Sequence, residues 1–594
     1  MRYVHHDTSV SFQQAIEIKC AICVRLIAAL EHGDAANLAS APAVKSFVAG
    51  PTTYEKAPIG SDDNSAVIHF RCRDLFARLV LELWSEEPEQ SGVVTSSSTG
   101  TGSAIEFLLA QNEQCLKEHL ECRLHNSEIN FFPTRVVEIT NLSARICLRE
   151  CVPAGAQFVA LSHCWGKSRP LTLTKSNLAA LAQGIAVASL PKTFQDAIDV
   201  TKKFGHRYIW IDSLCIVQDD PEDWRVESSQ MRNVYQNATF CIAATAASDG
   251  NAGLFFDRDA ASLMSIKIDF EWTGAEWPSA GTYSCSFAWP DAYTHIDCAP
   301  LNQRGWVAQE RYLSPRILHF AQKLVFWECR DTITCETHPK GLPGWIQSGN
   351  LEDDLFSLKR IVNDLSQTLD DGAASQRDSA NEIYWCWCKF LALYTSFRLT
   401  KESDILVALQ GIAQDVGEKM QDEMVAGLWK KRLVQDMCWS IRCKQSFPRR
   451  PAIWRGPSWS WVASAQPVRA SRLGLNDTGE SHLLSEIADI HVATYASGNL
   501  ARAIIVLKCR ILEYTSLEVQ AILDDLDHGE VREWYLIFLR HHSHTRSSEI
   551  EGLVVKLVGE GCYQRVGYFR SEEGLAPSAL ELYHAQGERI IQLW

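Results

Sequence analysis

The chain lacks the marks of several large protein classes. Its first ten residues, MRYVHHDTSV, hold no basic stretch leading into an apolar one, so no secretory leader is expected. No run approaches the roughly 18 apolar residues that a bilayer span needs; the best, Ala21 to Leu30, is short and contains Arg25. There is no GxGxxG after a strand and no GxxxxGK followed by Ser or Thr. The glycine-rich phosphate cradle of dinucleotide oxidoreductases and P-loop enzymes is therefore missing. Positive charge is in deficit, 57 Lys and Arg against 72 Asp and Glu, for a net −15. The basic residues are scattered among acidic ones, which argues against a nucleic-acid module. Cys20 and Cys23 form a CxxC without a second close pair, and Cys115 and Cys122 are too far apart along the chain to supply one. A structural zinc site needs four ligands, so no metal is expected.

What is present is ordinary globular material. The 594 residues are 46% hydrophobic and 10% aromatic, which excludes disorder along the whole chain. At about 150 residues per domain the prior is about four domains. Twenty cysteines without a secretory leader read as thiols of a reducing, cytoplasmic compartment, many of them buried. The spacing divides the chain into a mostly helical region over 1–130, an α/β domain over 131–335, a helical region over 336–470 and a β-rich region over 471–594. Apolar positions over 11–35 and 70–85 are spaced for helices, and 91–103 (SGVVTSSSTGTGS) reads as a flexible loop. Residues 258–300 read as an insertion with two β-like runs.

The most legible stretch is 157–245. Phe158 to Leu161 is an apolar run ending in Ser162, His163, Cys164, Trp165 and Gly166. Pro191 opens a helix with Phe194, Ala197, Ile198 and Thr201 at i, i+3, i+4 and i+7, and Gly205 closes it. Tyr208 to Ile211 is apolar at every position and ends at Asp212; Asp220 and Pro221 then start a second helix. Thr239 to Ala244 is a third run, leading to Thr245, Ser248 and Asp249. Strands alternating with helices predict a parallel sheet covered by helices, with a polar cleft at the carboxyl ends of the strands. Ser162, His163, Asp212 and Ser248 are its candidate ligand contacts, and the Trp165 ring could stack on a base.

Three segments resemble the heterokaryon incompatibility (HET) domain of filamentous fungi. They are FVALSHCWG (158–166), LPKTFQDAIDVTKKFGHRYIWIDSLCIVQDDPEDWRVESSQMRNVYQNATFCIAAT (190–245) and LNQRGWVAQERYLSPRILHF (301–320). YTSFRLTKESDILVALQGI (394–412) and PSWSWVAS (457–464) resemble segments usual downstream of it. The resemblance implies a cytoplasmic regulator of non-self recognition whose activation leads to programmed cell death. The HET domain is in turn similar to TIR domains, which implies a TIR-like, flavodoxin-like parallel sheet flanked by helices. Trp306 and Glu310 hold the positions of a Trp and, four residues on, the glutamate of NAD-cleaving TIR members. NAD would be a substrate, with no cofactor, and the chain would act through a homo-oligomer or a sensor protein.

Cleaving the nicotinamide–ribose bond passes through an oxocarbenium-like state, which one carboxylate can steady. Glu310 is the candidate catalytic residue; the competing reading pairs it with Arg304 or Arg311 on a helix surface. Glu227 shares a helix face with Trp224 and Met231 and is expected to be partnered by a buried Arg or His. A nucleophile triad at Ser162-His163-Cys164 is disfavoured, because adjacent side chains of an extended segment point apart. His541, His542 and His544 read as a solvated turn, and the tryptophans of WCWC (385–388) and PSWSW (457–461) as core.

Overall fold

A computed structural model describes residues 2–594 outside 25–51, 59–64, 73–74, 84–93, 123–130, 167–170, 271–280, 287–292, 343–354, 365–372, 443–450, 472–479, 496–499, 525–532, 544–547, 572–575 and a few single positions. In the N-terminal region, helix α1 (Ser9–Glu17) starts where the Thr8 hydroxyl accepts the Ser11 N–H. The helix expected over 70–85 is absent, and strands Ser65–Cys72 and Leu75–Leu83 stand there instead. Leu79, Leu81 and Leu83 alternate with Val80 and Glu82, so the same apolar positions also satisfy a period of two. These strands pair with Thr52–Pro58 and, through it, with Arg2–His6. The insertion completes this sheet: Gly281–Ser286 pairs with Leu75–Leu83 and with Ile266–Phe270. The region is thus less helical than its apolar spacing suggests.

The end of the 91–103 segment is packed rather than a free loop. Thr99 is buried, its backbone N–H bonds to the Phe256 carbonyl, and its hydroxyl accepts the Phe256 N–H at 2.9 Å. Its last residues begin helix α2 (Gly102–Glu118), whose Ala104, Ile105, Leu108 and Cys115 are buried.

Nine strands form the central sheet: β1 (Arg135–Ile139), β2 (Ser143–Leu148), β3 (Val159–Ser162), β4 (Ile185–Ala186), β5 (Tyr208–Ile211), β6 (Cys241–Ala243), β7 (Arg316–Phe320), β8 (Val325–Cys329) and β9 (Ile333–Cys335). They lie in the order β9-β8-β7-β6-β3-β5-β1-β2-β4. Only β7, β6, β3 and β5 run parallel to one another. The pairs outward from them are antiparallel, so the sheet is mixed rather than parallel throughout. The reason is the length of the connections. Helix α3 (Lys192–Lys203) joins β3 to β5 and α4 (Pro221–Asn237) joins β5 to β6, long enough for crossovers, whereas β1–β2 and β7–β8–β9 are joined by short turns. The chain leaves β3 toward β5 on one side and returns to β6 on the other. That reversal is the switch point at which open α/β sheets bind ligands.

Helix α5 (Gly305–Leu313) follows the insertion and is buried on nearly every side. Downstream, α6 (Leu355–Asp364), α7 (Ala373–Tyr394) and α8 (Gln410–Met420) form the helical part. Trp387, Trp459 and Trp461 pack as core, with Trp387 on Trp429 at 5.0 Å between ring centroids and Tyr394 on Trp461 at 6.3 Å, whereas Trp385 is half-buried. The C-terminal region is β-rich, as expected, with strands including Leu500–Cys509, Trp534–Ser543, Ser548–Gly559, Cys562–Arg570 and Arg589–Leu593. His541 and His542 lie inside one of them rather than in a turn, and His542 is buried. Among the described residues no helix is long and apolar enough to cross a membrane.

Candidate functional site at the strand ends

The sheet delivers its polar residues to one place. β3 ends at Ser162, β5 runs directly into Asp212, and α5 passes beside both. The Ser162 hydroxyl donates to Glu310 Oε2. His163 Nε2 faces Asp212 Oδ1 at 2.9 Å, and the Trp165 indole N–H donates to Asp212 Oδ2 at 2.8 Å. The Ser213 backbone N–H adds a third bond to Asp212, at 2.6 Å. Hydroxyl and imidazole are therefore turned to different carboxylates, and no Ser–His nucleophile pair forms. Gly166 sits at φ +73° against the Asp249 side chain, where a Cβ would lie 2.3 Å from Asp249 Cβ. This contact holds the loop after β3 against the loop that carries Ser248, which is itself exposed.

The two carboxylates are electrostatically unlike. Burial pushes Asp212 up, but His163, Arg304 and the Trp165 N–H outweigh it and hold the carboxyl below its ordinary value. For Glu310 burial wins: the carboxyl is raised even though Arg304 and the Ser162 hydroxyl pull it down, and nearby Asp212 adds to the rise. Glu310 is only 4% exposed, while Trp165, Asp212, Arg304 and Trp306 are half-buried.

Ser162, His163, Trp165, Asp212 and Glu310 thus lie together, with Ser248 on an adjoining loop. Trp306 does not join them through a polar contact; its indole lies instead beside Asp404 in the downstream part, whose carboxyl it helps to hold down against burial. Glu227 takes the partnered role: Arg135 reaches Glu227 Oε1 at 3.3 Å while binding both oxygens of Asp223 at 2.6 Å. The proposed pairing of Glu310 with Arg311 does not occur. Arg311 turns instead to Asp297 and, at 2.8 Å, to Glu328.

Arg304 was missing from the expected site. Its guanidinium donates to the His163 carbonyl, so it bridges the start of α5 to the loop after β3. The downstream segment was missing too. The Gly305 N–H bonds to the Arg398 carbonyl at 2.9 Å, and a Cβ at Gly305 would lie 2.5 Å from Leu399. Gln309 accepts the Gly411 N–H at 3.0 Å, and the Tyr312 hydroxyl reaches Asp415 at 2.7 Å. The 394–412 segment therefore seats the helix that carries Glu310. The one sequence signal for this was the joint presence of the two motifs.

Fold and site define an α/β module whose polar centre lies where its parallel strands end. Residues 158–310 match the family model described as Heterokaryon incompatibility protein (HET), a match that starts just before β3 and stops at Glu310 itself. It spans about a quarter of the 594-residue chain and suggests a role in heterokaryon incompatibility. No curated protein and no solved structure matches the chain.

Proposed function

We propose that this chain is a regulator of heterokaryon incompatibility whose HET module, as a TIR-like unit, cleaves the nicotinamide–ribose bond of NAD in the cytoplasm and so drives cell death. The observation that carries the reading is the Ser162–Glu310 hydrogen bond at the strand ends, which puts a carboxylate next to the loops expected to bind a ligand. In the reaction the C–N bond breaks with its electron pair leaving on nicotinamide, which departs neutral and needs no general acid. Glu310, ionised, faces the positive charge left on the ribose; water adds to the anomeric carbon and its proton goes to solvent. Asp212 is kept charged by its three donors and suits a ribose hydroxyl, and Trp165 offers a ring to stack on.

A second reading has one observation in its favour. Glu310 is almost closed to solvent, as expected of a module that only self-associates or docks on a sensor protein. In the enzymatic reading, assembly opens the site. The test is nicotinamide release from NAD by the full chain over a range of protein concentrations, for the natural sequence and for Glu310→Gln. Release that rises faster than linearly with concentration and disappears in the variant supports the enzyme. Equal release by both removes Glu310, and no release at any concentration, with concentration-dependent self-association intact, gives the module to the binding reading.

A further inference from the structure

At the end of β8, outside the site around Glu310, four metal-ligating side chains converge. Cys115 lies in the last turn of α2, His119 caps the helix in an extended conformation, and Cys122 follows three residues on, where the chain has left α2 and turns back toward Cys115. Cys329 is the last residue of β8. The three sulfurs and one imidazole nitrogen all lie within 4.8 Å of one another. Cys329 Sγ is 3.3 Å from His119 Nδ1. In a tetrahedral site with Zn–S bonds of about 2.3 Å, ligand atoms stand roughly 3.8 Å apart, so the cluster needs only small adjustments to close on an ion.

Two further features fit such a site. His119 presents Nδ1 to the sulfurs and Nε2 to Asp331, 3.4 Å away, the carboxylate–histidine arrangement that orients metal-bound imidazoles. Arg316, at the start of β7, is fully buried. Its Nε meets Cys115 Sγ at 3.3 Å, and its other nitrogens meet the Cys122 and Thr239 carbonyls. Among the described residues no carboxylate pairs with this guanidinium. A buried cation without an anion is costly. Three thiolates and a neutral imidazole around a dication carry a net charge of −1, which is what Arg316 lacks.

The geometry points to a structural zinc site of three cysteines and one histidine, made by Cys115, His119, Cys122 and Cys329, that clamps the N-terminal helix α2 to the edge of the central sheet. The ligand set is closed and soft, which selects zinc over magnesium or calcium and leaves no open position for catalysis. The clamp adds to weaker docking already present, where Gln111 bonds to the Thr334 hydroxyl and the Pro339 carbonyl at 2.9 Å each. The inference is independent of the NAD reading.

The test is elemental analysis of the full chain purified without chelator, together with counting of reactive thiols. About one zinc per chain is expected, with three thiols becoming reactive when a strong chelator removes it. Cys122→Ser and Cys329→Ser should each lose the metal, while Cys151→Ser, at an exposed thiol, should keep it. Where a ligand variant fails to fold, cobalt replacement in the natural sequence gives a second measurement: thiolate-to-cobalt charge transfer with tetrahedral d–d bands is expected. Zinc below about a tenth of an equivalent after refilling, a disulfide among these cysteines, or bound iron would each overturn the assignment.

Discussion

Glu310 and Arg311 are neighbours on α5, yet they enter two buried polar clusters of opposite character. Arg311 joins a cluster whose charges are matched. Glu328, fully buried, receives Arg311 Nε at 2.8 Å, Lys359 Nζ at 3.3 Å and His319 Nε2 at 3.3 Å, and Asp297 takes a second bond from Arg311. Burial pushes Glu328 up, but Arg311, Lys359 and His319 together hold its carboxyl far below its ordinary value. Glu310, one residue away, has a hydroxyl for a hydrogen-bond partner and is pushed up. A carboxylate whose charge is fully met inside the protein has little left to offer a ligand. One buried with its charge only partly met, by the nearby Arg304 and a hydroxyl, does. The comparison gives Glu328 a structural role and leaves Glu310 as the carboxylate on which the proposed chemistry rests.

The largest effect that could break this comparison is on stability. Glu328→Ala removes the anion shared by Arg311, Lys359 and His319, and losing one partner of such a buried set costs about 3–5 kcal/mol. It should appear as a shift of the urea transition to lower concentration. Glu310→Gln keeps the shape and an oxygen to accept the Ser162 hydroxyl, so the urea transition should move by no more than about 1 kcal/mol. Its loss is expected in turnover instead, by a factor of about 10²–10³. If the two variants exchanged these behaviours, the assignment of roles would be reversed.

A smaller effect separates the two carboxylates by pH. With its folded value raised, Glu310 holds its proton more tightly in the folded chain than in the unfolded one. Its contribution to stability is present below the ordinary carboxylate range and lost as pH rises through the folded value. Glu328 is opposite: its contribution is present above the ordinary range and lost as pH falls through its depressed value. One proton gives a slope of at most about 1.4 kcal/mol per pH unit. The stability of the natural sequence minus that of Glu310→Gln should therefore fall from mildly acidic toward neutral pH, measured by urea unfolding at each pH. Over the same window nicotinamide release should rise, because only the ionised carboxyl steadies a cation. A stability difference that grows with pH would show that Glu310 is held charged by a partner.

How far the sequence revealed this contrast follows from which signals are local. The runs 158–161 and 208–211, apolar at every position, marked strands buried on both faces, and the polar residues just after them marked the strand ends. Both signals lie within a few residues. The antiparallel flanks were not legible, since the pairing of β1 with β5 or of β7 with β8 depends on the length and path of the connections rather than on any one segment. The 70–85 stretch misled because the apolar spacing of LFARLVLEL (75–83) serves either period. The zinc-type cluster was missed because Cys329 lies more than two hundred residues from Cys115, and because Cys115 and Cys122 were weighed only as a second close cysteine pair, without His119 between them. The role of Arg304 was open to the sequence only as one arm of an alternative.

The smallest effect concerns a third buried carboxylate that sits between the two extremes. Glu227 is raised by burial, like Glu310, although Thr134 and the Arg135 guanidinium pull it down. It touches that guanidinium, like Glu328, but at 3.3 Å and as the lesser partner, because Asp223 already holds Arg135 at 2.6 Å through both oxygens. Arg135 also keeps its bond to the Cys215 carbonyl at 2.6 Å. Removing Glu227 therefore leaves the guanidinium satisfied, and Glu227→Ala should cost about 1–3 kcal/mol, less than Glu328→Ala. Nicotinamide release should be unchanged where the variant is folded. Its carboxyl packs against β1 rather than at the ends of β3 and β5, so a raised carboxyl by itself would not make a site; position at the switch point would. Should Glu227→Ala abolish release with its urea transition intact, position would no longer separate the carboxylates, and the chemistry would belong to the face of α4.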